Sequence, residues 1–392
     1  MQSAIQFSTT MTASQQVRLM KQLLSHHLLI VGQTGSGKTT TTLSLLSQLQ
    51  QQNETAIILD PTGEYAQLPN TVTYRFGDNA YFEAGKLSAV HLLRILQLPV
   101  TPEFLQKLRQ AITDLRLQQN VIKHSGIYQR QNRPIQDHQR ALRHLGSWAS
   151  DYHLSDLFDQ LIAEFVIPRL DGQADYHLLG QQYDRVAINR QWPQLTMLQE
   201  RLASPVFRAL FDTDSHPGTM KSELNFILKM FLHHASQHRT LVIDLSLLKN
   251  YEASQRLLIS LLLKQILKYR LQANAGFPVN VVLDEAHRYL PKDSRDLADN
   301  GIFQLLREGR KLDIKLILTT QSPLDLPARL RSQFGNLIVH RLLDESEVRS
   351  LPGDWRLPRA AYLAVGEINL CLFDHQPVTA HINLPAWWQG DD

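Results

Sequence analysis

The fold of this chain is decided by one stretch, Leu28-Leu29-Ile30-Val31-Gly32-Gln33-Thr34-Gly35-Ser36-Gly37-Lys38-Thr39. A short apolar run leads into Gly-x-x-x-x-Gly-Lys-Thr, and a Ser/Thr-rich segment with leucines at helical spacing follows. This order predicts a strand, a phosphate-binding loop and a helix. The glycines allow a tight turn whose N–H groups approach phosphate oxygens, where a Cβ would intrude. The alternative is a chance glycine turn before a buried helix.

The loop supplies the predicted nucleotide-binding residues. Lys38 places a positive charge at the β- and γ-phosphates, and the hydroxyl of Thr39 binds Mg²⁺. The amino end of the following helix adds partial positive charge. We therefore expect ATP and Mg²⁺ as cofactors. The predicted binding set is Gly32, Gln33, Thr34, Gly35, Ser36, Gly37, Lys38, Thr39 and Thr40.

The composition is ordinary for a soluble globular protein. The 392 residues are 43% hydrophobic and 20% charged, with a net charge of +3 that neither favours nor excludes a nucleic-acid partner. The single cysteine, Cys371, cannot form an internal disulfide and predicts a reducing, cytoplasmic location. The polar first twenty residues do not resemble a signal peptide, and we expect no membrane span.

Alternating short apolar runs and helical segments predict a doubly wound α/β fold with a mainly parallel sheet. Residues 1–26 are predicted to form an N-terminal helical segment, and 27–78 with 239–392 the nucleotide-binding core. From 79 to 238 apolar residues recur at three- and four-residue spacing, which predicts a helical insertion subdomain. The expected core strands are 28–31, 55–60, 240–244, 279–285, 314–320, 335–340 and 361–373.

Several polar side chains end these strands and should lie at one edge of the sheet with the glycine loop, because ligands bind at the carboxyl ends of parallel strands. They are Asp60, Asp244, Asp284, Glu285 and Gln321. We predict that Asp284 holds Mg²⁺ and that Glu285 polarises the attacking water. Adjacent acids are also typical of a helix N-cap. Gln321 is predicted to contact the γ-phosphate, with a loop-capping amide as the alternative.

Two arginines, Arg307 and Arg310, lie in Arg-Glu-Gly-Arg-Lys at the end of the helix that follows the acids. An arginine that reaches the γ-phosphate of a neighbouring subunit would stabilise charge in the transition state. The residues alone leave open whether Arg307 or Arg310 takes this role. Surface cations at a helix carboxyl end are the alternative.

The segment Asp284-Glu285-Ala286-His287 spells the box of the DEAH helicases. In those enzymes the box follows the phosphate loop within one compact domain, whereas Asp284 lies far along the chain from Lys38. The glycine- and arginine-rich motif of a second motor domain is also missing. We therefore reject this assignment.

A different resemblance rests on five motifs in order. The chain resembles the HerA branch of the HerA/FtsK motor ATPases from about His26 to Asn383. The motifs are Gln33–Thr39, Asp60-Pro61-Thr62-Gly63-Glu64-Tyr65, Leu283-Asp284-Glu285-Ala286-His287-Arg288-Tyr289-Leu290-Pro291, Arg307-Glu308-Gly309-Arg310-Lys311, and Leu318-Thr319-Thr320-Gln321-Ser322-Pro323 with Leu326-Pro327.

This resemblance implies a RecA-like P-loop ATPase core in a hexameric ring that translocates double-stranded DNA, with ATP at subunit interfaces. It implies that Lys38 and Thr39 bind ATP and Mg²⁺ and that Asp284 and Glu285 are the hydrolytic acids. It also implies that Gln321 is the sensor and that Arg310 is the interface arginine. It also implies a partner nuclease in DNA processing and repair, or an effector in phage defence. Residues 1–26 are shorter than the N-terminal β-barrel typical of the family, so we expect a chain without that barrel.

Two other functions remain open from the sequence. One is a conjugation- or secretion-type ATPase of the same superfamily, recruited to a membrane by a partner. The other is an ATP-gated assembly module that organises an effector protein with little translocation. Three results distinguish these functions. Stimulation of hydrolysis by DNA favours the DNA motor, and stimulation by a membrane partner favours the secretion-type ATPase. Nucleotide-dependent assembly with negligible turnover favours the assembly module.

Overall fold

The computed structural model describes residues 5–7, 12–213, 220–234, 239–273, 276–291, 293–353, 357, 360–373, 375–385 and 387. The strands are β1 (Ile5–Phe7), β2 (Leu28–Val31), β3 (Thr55–Asp60), β4 (Thr71–Arg75), β5 (Ala80–Tyr81), β6 (Val166–Ile167), β7 (Gln182–Tyr183), β8 (Ser222–Glu223), β9 (Thr240–Asp244), β10 (Val279–Leu283), β11 (Ile314–Thr320), β12 (Asn336–Val339), β13 (Glu367–Cys371) and β14 (Val378–Ile382).

The α-helices are α1 (Ala13–Leu23), α2 (Lys38–Gln51), α3 (Ala89–Ile95), α4 (Pro102–Leu117), α5 (Ile135–His144), α6 (Leu157–Ala163), α7 (Arg185–Ala203), α8 (Pro205–Phe211), α9 (Leu224–His233), α10 (Glu252–Gln272), α11 (Gly301–Glu308), α12 (Ala328–Arg331) and α13 (Glu345–Arg349). The chain divides into two compact units. The first is Met1–Tyr74 with Asn225–Asp392, and the second is Arg75–Leu224.

Ten strands of the first unit form one sheet in the order β1-β14-β13-β12-β2-β11-β10-β3-β9-β4. The six strands from β12 to β9 run parallel to one another. Strands β13, β14 and β1 extend the sheet in antiparallel pairs. The predicted α/β fold with a mainly parallel sheet is confirmed.

Helix α2 covers one face of this sheet. Side chains alternate along a strand, so Leu28 and Ile30 of β2 point to the same face. Both belong to one buried cluster with Leu43, Leu46 and other leucines of α2. Each such side chain stabilises the fold by roughly 1.5–3 kcal/mol when it is fully buried. This packing fixes α2, and with it the glycine loop that precedes the helix.

The structure differs from the sequence prediction mainly at the chain ends. Residues 1–26 contain the predicted helix, α1, but also β1, which pairs with β14 at the edge of the sheet. Only Glu367–Cys371 of the predicted strand 361–373 is extended, and β14 was not predicted. Of the two aromatics in the tail, Trp387 packs against the buried cluster, and Trp388 lies outside the described residues.

The second unit carries α3 to α8 and two small two-stranded sheets, β5-β8 and β6-β7. The predicted insertion was 79–238, whereas this unit is Arg75–Leu224, so nearly all of α9 belongs to the first unit. No helix among the described residues is long and apolar enough to cross a membrane.

Two buried carboxylates share one guanidinium in the second unit. Arg130 Nη1 donates to Asp114 Oδ2 at 2.9 Å and to Glu164 Oε2 at 2.5 Å. Gln160 Nε2 donates to the other oxygen of Glu164 at 2.8 Å, and His138 Nε2 lies 2.9 Å from Asp114 Oδ1. Burial and the neighbouring Asp114 raise the pKa of Glu164 from 4.5 to about 8. Glu164 therefore takes up a proton on folding at intermediate pH.

We expect Glu164→Gln to remove one pH-dependent contribution to stability. Because the pKa of Glu164 is higher in the folded chain, the folded state binds more protons between pH 4.5 and about 8. Its contribution to the free energy of unfolding therefore falls as pH rises through that window. Urea unfolding of both proteins across the window measures the difference. The exposed Glu200→Gln is the control. A wild-type-minus-variant difference that stays constant with pH would contradict the assignment.

Candidate active site

The glycine loop joins β2 to α2 and leaves the amino end of the helix open. Gly37 is the N-cap residue of α2 and has φ 101°, in the left-handed region that favours glycine. No side chain of the described residues caps this helix end. Its first N–H groups are therefore available to an anion, as a phosphate site requires.

Lys38 is buried and folds back over its own loop. Its Nζ donates to the carbonyl oxygens of Gly32 at 2.8 Å and Gln33 at 3.1 Å, and it lies 4.0 Å from Glu285 Oε1. Burial lowers the pKa of Lys38, and the nearby carboxylates of Glu285 and Asp284 oppose that shift. The first residue of α2 and the acidic pair after β10 thus face one site.

A close backbone approach explains the first glycine of the loop. A Cβ added to Gly32 would lie 2.4 Å from His340 Cβ and 2.8 Å from Ser36 Oγ. His340, which follows β12, is fully buried, and its Nε2 lies 2.9 Å from the hydroxyl of Thr41 in α2. Burial lowers the pKa of His340 to about 4, so the ring is neutral at neutral pH. His340 was not predicted as a site residue.

Glu285 has an unusual backbone conformation that directs its carboxylate. Its φ is 48° and its ψ is 47°, in the left-handed region. Gln321 Nε2 donates to Oε1 of Glu285 at 3.3 Å, and His287 Nδ1 lies 3.3 Å from Oε2. The structure thus brings together Lys38, Glu285 and Gln321, which end or follow three different strands. His287 was not predicted as part of this group.

Asp284 is surrounded by donors on both carboxylate oxygens. Oδ1 accepts from the hydroxyl of Thr319, and from the N–H of Glu285 at 2.9 Å. Oδ2 accepts from the hydroxyl of Tyr65 at 2.9 Å. Thr319 and Tyr65 were absent from the predicted site. A polar residue at the end of a buried strand was the available signal for Thr319, and the Asp-Pro-Thr-Gly-Glu-Tyr motif was the signal for Tyr65.

Asp60 and Asp244 lie at the same edge of the sheet but hold turns. Asp60 Oδ1 accepts from the N–H of Gly63 at 2.8 Å, and Oδ2 accepts from the N–H of Tyr65 at 2.9 Å. Asp244 Oδ1 accepts from the N–H of Ser246 at 2.9 Å. Both aspartates therefore shape the loops beside the site, and both oxygens of Asp60 are engaged.

The side chains at the site are suited to bind Mg²⁺ together with the phosphates of a nucleotide. Thr39 and Asp284 offer a hydroxyl and a carboxylate, the hard oxygen ligands that Mg²⁺ prefers, and Mg²⁺ usually keeps several waters. No group of three or more His, Cys, Asp or Glu side chains among the described residues could hold a metal by itself. Burial raises the pKa of Glu64, and Asp284 and Asp60 raise it further, which indicates a negative field beside Asp284.

The structure does not bring Arg310 to this site. Arg310 lies in the 3₁₀ turn Gly309–Leu312 that precedes β11, whereas Gln321 follows β11. The seven residues of β11 lie between Arg310 and Gln321, and an extended strand of that length spans about 20 Å. Arg307 lies over the ring of Phe303, 5.8 Å from its centroid. The role of Arg310 at an interface stays a prediction.

The glycine loop, the lysine and the acid pair at the carboxyl edge of a mainly parallel sheet define a P-loop NTPase. A family model described as "Helicase HerA, central domain" matches residues 6–266. The chain therefore belongs to the HerA helicase family.

Curated relatives cover most of the chain at low identity. It is 24% identical over 338 residues to the DNA double-strand break repair helicase HerA of Sulfurisphaera tokodaii, which covers 85% of this chain and 58% of that protein. It is 21% identical over 407 residues to a probable DNA double-strand break repair helicase HerA of Methanocaldococcus jannaschii, covering 93% and 71%. The chain thus spans little more than half the length of the first relative.

Solved structures with a similar fold include VirB4 and the plasmid coupling protein TrwB. VirB4 of Thermoanaerobacter pseudethanolicus superposes with a TM-score of 0.58 and 15% identity, covering 92% of this chain and 90% of that one. The plasmid coupling protein TrwB in complex with ADP and Mg²⁺ gives a TM-score of 0.54 at 14% identity, covering 97% and 95%. At these identities the likeness establishes the fold.

We expect Gly32→Ala to weaken nucleotide binding at least about tenfold. The added Cβ would meet the Cβ of the buried His340, so the loop must shift and its N–H groups and Lys38 move with it. Titration with a fluorescent ATP analogue measures the affinity. Gly276→Ala is the control, because a Cβ there meets nothing within 4 Å. Equal affinities for the two variants would show that the loop tolerates the shift.

Proposed function

We propose that this chain is an ATP-hydrolysing motor subunit that forms a homo-oligomeric, hexameric ring and translocates double-stranded DNA. One observation carries the ATPase part. Lys38 Nζ lies 4.0 Å from Glu285 Oε1 at the open edge of the sheet, so the phosphate loop and the hydrolytic acid can act on one nucleotide. Family membership supports the same activity.

In the proposed reaction Lys38 leaves the loop carbonyls and contacts the β- and γ-phosphates. Glu285 orients a water molecule in line with the γ-phosphorus and accepts its proton. The new P–O bond forms as the bond to the ADP oxygen breaks. Gln321, which donates to Oε1 of Glu285, holds the carboxylate in this orientation.

Thr39 and Asp284 are the residues that would hold Mg²⁺. The ion would supply positive charge that neutralises the negative charge developing on the transferred phosphoryl group. The binding of ADP and Mg²⁺ by TrwB, a protein of the same fold, supports this cofactor pair.

The DNA substrate is proposed from the relatives. Proteins named DNA double-strand break repair helicases match most of this chain. The family resemblance further suggests a partner nuclease or a defence effector, and Arg310 as the interface arginine. Arg310 lies at the end of β11 opposite to the proposed nucleotide site. This place is compatible with contact to a neighbouring subunit, because each subunit of a ring presents one surface to each neighbour.

Substitution of the acid should separate binding from hydrolysis. We expect Glu285→Gln to bind ATP with near wild-type affinity and to lose about 10²–10⁴-fold in hydrolysis, because an amide cannot accept the proton from water. Lys38→Ala should lose ATP binding. Phosphate release and nucleotide titration measure the two effects, with the exposed Glu200→Gln as control. Normal turnover by Glu285→Gln would show that another group is the base.

A second experiment tests the DNA motor. Hydrolysis should rise with double-stranded DNA, and the stimulation should weaken steeply with salt because phosphate contacts release counterions. Mass measurement with and without ATP and duplex DNA should show the assembled ring. Hydrolysis indifferent to DNA but raised by a membrane partner would favour the secretion-type ATPase. Nucleotide-dependent assembly with negligible turnover would favour the gated module.

A further inference from the structure

The carboxylate of Asp284 has little acceptor capacity left. An ionised carboxylate offers about four lone-pair sites on its two oxygens. Thr319 and the N–H of Glu285 occupy Oδ1, and Tyr65 occupies one direction on Oδ2. One acceptor direction therefore remains, on Oδ2. An acid with a single open direction binds a cation or its water in a single geometry.

The turn that carries Tyr65 is fixed from two sides. Within the turn, both oxygens of Asp60 accept backbone N–H groups, including that of Tyr65 itself at 2.9 Å. From outside, the buried Gln255 of α10 donates its Nε2 to the carbonyl of Pro61 at 2.8 Å. A Cβ on Gly63, which has φ +88°, would lie 3.4 Å from Ser246. This rigidity determines where the hydroxyl of Tyr65 points.

At this position Tyr65 acts as a hydrogen-bond donor. Its side chain is 1% exposed, and the ring packs in the buried cluster with Leu68 and Ala56. An ionised carboxylate has no proton to donate, so the hydroxyl of Tyr65 is the donor in its bond to Asp284 Oδ2. A phenylalanine would fill the same space and lack the donor.

We propose that Tyr65 is a positioning residue for magnesium, which acts by occupying one acceptor direction of Asp284 Oδ2 and leaving the other for the ion or its bound water. This inference rests on the proposed ATPase function. It assigns a chemical role to the Asp60–Tyr65 motif. Asp60 builds the turn, and Tyr65 sets the orientation of the proposed magnesium ligand Asp284, which follows a neighbouring strand.

The test compares Tyr65→Phe with Tyr289→Phe. Tyr289 is also buried, but its hydroxyl has no hydrogen-bond partner among the described residues, so its loss removes no bond. Binding of a fluorescent ADP analogue is measured over a series of Mg²⁺ concentrations and in EDTA. We expect Tyr65→Phe to need about tenfold more Mg²⁺ for half-maximal enhancement of binding, since partners of metal ligands typically contribute that much. Affinity in EDTA should be unchanged, and Tyr289→Phe should match the wild type.

A double-mutant cycle shows whether the effect acts through Asp284. In the Asp284→Asn background, Tyr65→Phe should cause no further change in the Mg²⁺ requirement. Two results would overturn this inference alone, provided that the wild type binds the nucleotide analogue normally. One is a further change in the Mg²⁺ requirement when Tyr65→Phe is added to Asp284→Asn. The other is a Tyr65→Phe single variant whose Mg²⁺ requirement equals that of the wild type. Failure of the wild type to bind the nucleotide analogue would overturn the proposed function as well. Thermal melting of all variants separates a change in the metal site from loss of folding.

Discussion

The parallel register of β2, β11 and β10 is the constraint on which the site depends. Leu283 of β10 pairs with Leu318 of β11, and Leu318 pairs with Leu29 of β2. Glu285 lies two residues beyond the end of β10, and the glycine loop begins directly after the end of β2, so both follow the carboxyl ends of strands in this register. A slip of one residue would turn every side chain of a strand to the opposite face. Burial of the strands on both faces prevents that slip, so the apolar packing holds the acid opposite the lysine.

Polar groups at the ends of the strands are then fixed by hydrogen bonds that cross from one strand to the next. Tyr65 from beyond β3 and Thr319 from β11 both donate to Asp284 beyond β10. Gln321 from beyond β11 donates to Glu285. Asp284 is therefore oriented by residues of both neighbouring strands, and Glu285 by a residue that follows one of them. A carboxylate that is partly removed from water is stabilised when its lone pairs are satisfied in this way. For Asp284 the same bonds leave few directions in which the carboxylate can act.

The sequence was sufficient for those parts of the site that a local pattern encodes. The loop from Gly32 to Thr39 and the pair Asp284-Glu285 are contiguous, and their positions after apolar runs predicted the edge of the sheet where they lie. Tyr65 and His340 could not be assigned in this way, because their roles arise from the order of the strands, which brings distant segments together. For the same reason β1 was missed: three residues form a strand only because β14 pairs with them.

Negatively charged side chains outnumber positively charged ones at the site. Five carboxyl groups lie at this edge of the sheet, those of Asp60, Glu64, Asp244, Asp284 and Glu285. Lys38 Nζ lies 4.0 Å from Glu285 Oε1. Repulsion among these acids already raises the pKa of Glu64 after the effect of burial. A nucleotide adds further negative charge, which Mg²⁺ offsets only in part. Arg310 precedes β11 and lies at the opposite end of that strand from the site, so it does not offset these acids within its own chain. A ring in which each subunit completes the site of the next would resolve this imbalance, and it would link hydrolysis to assembly through electrostatics.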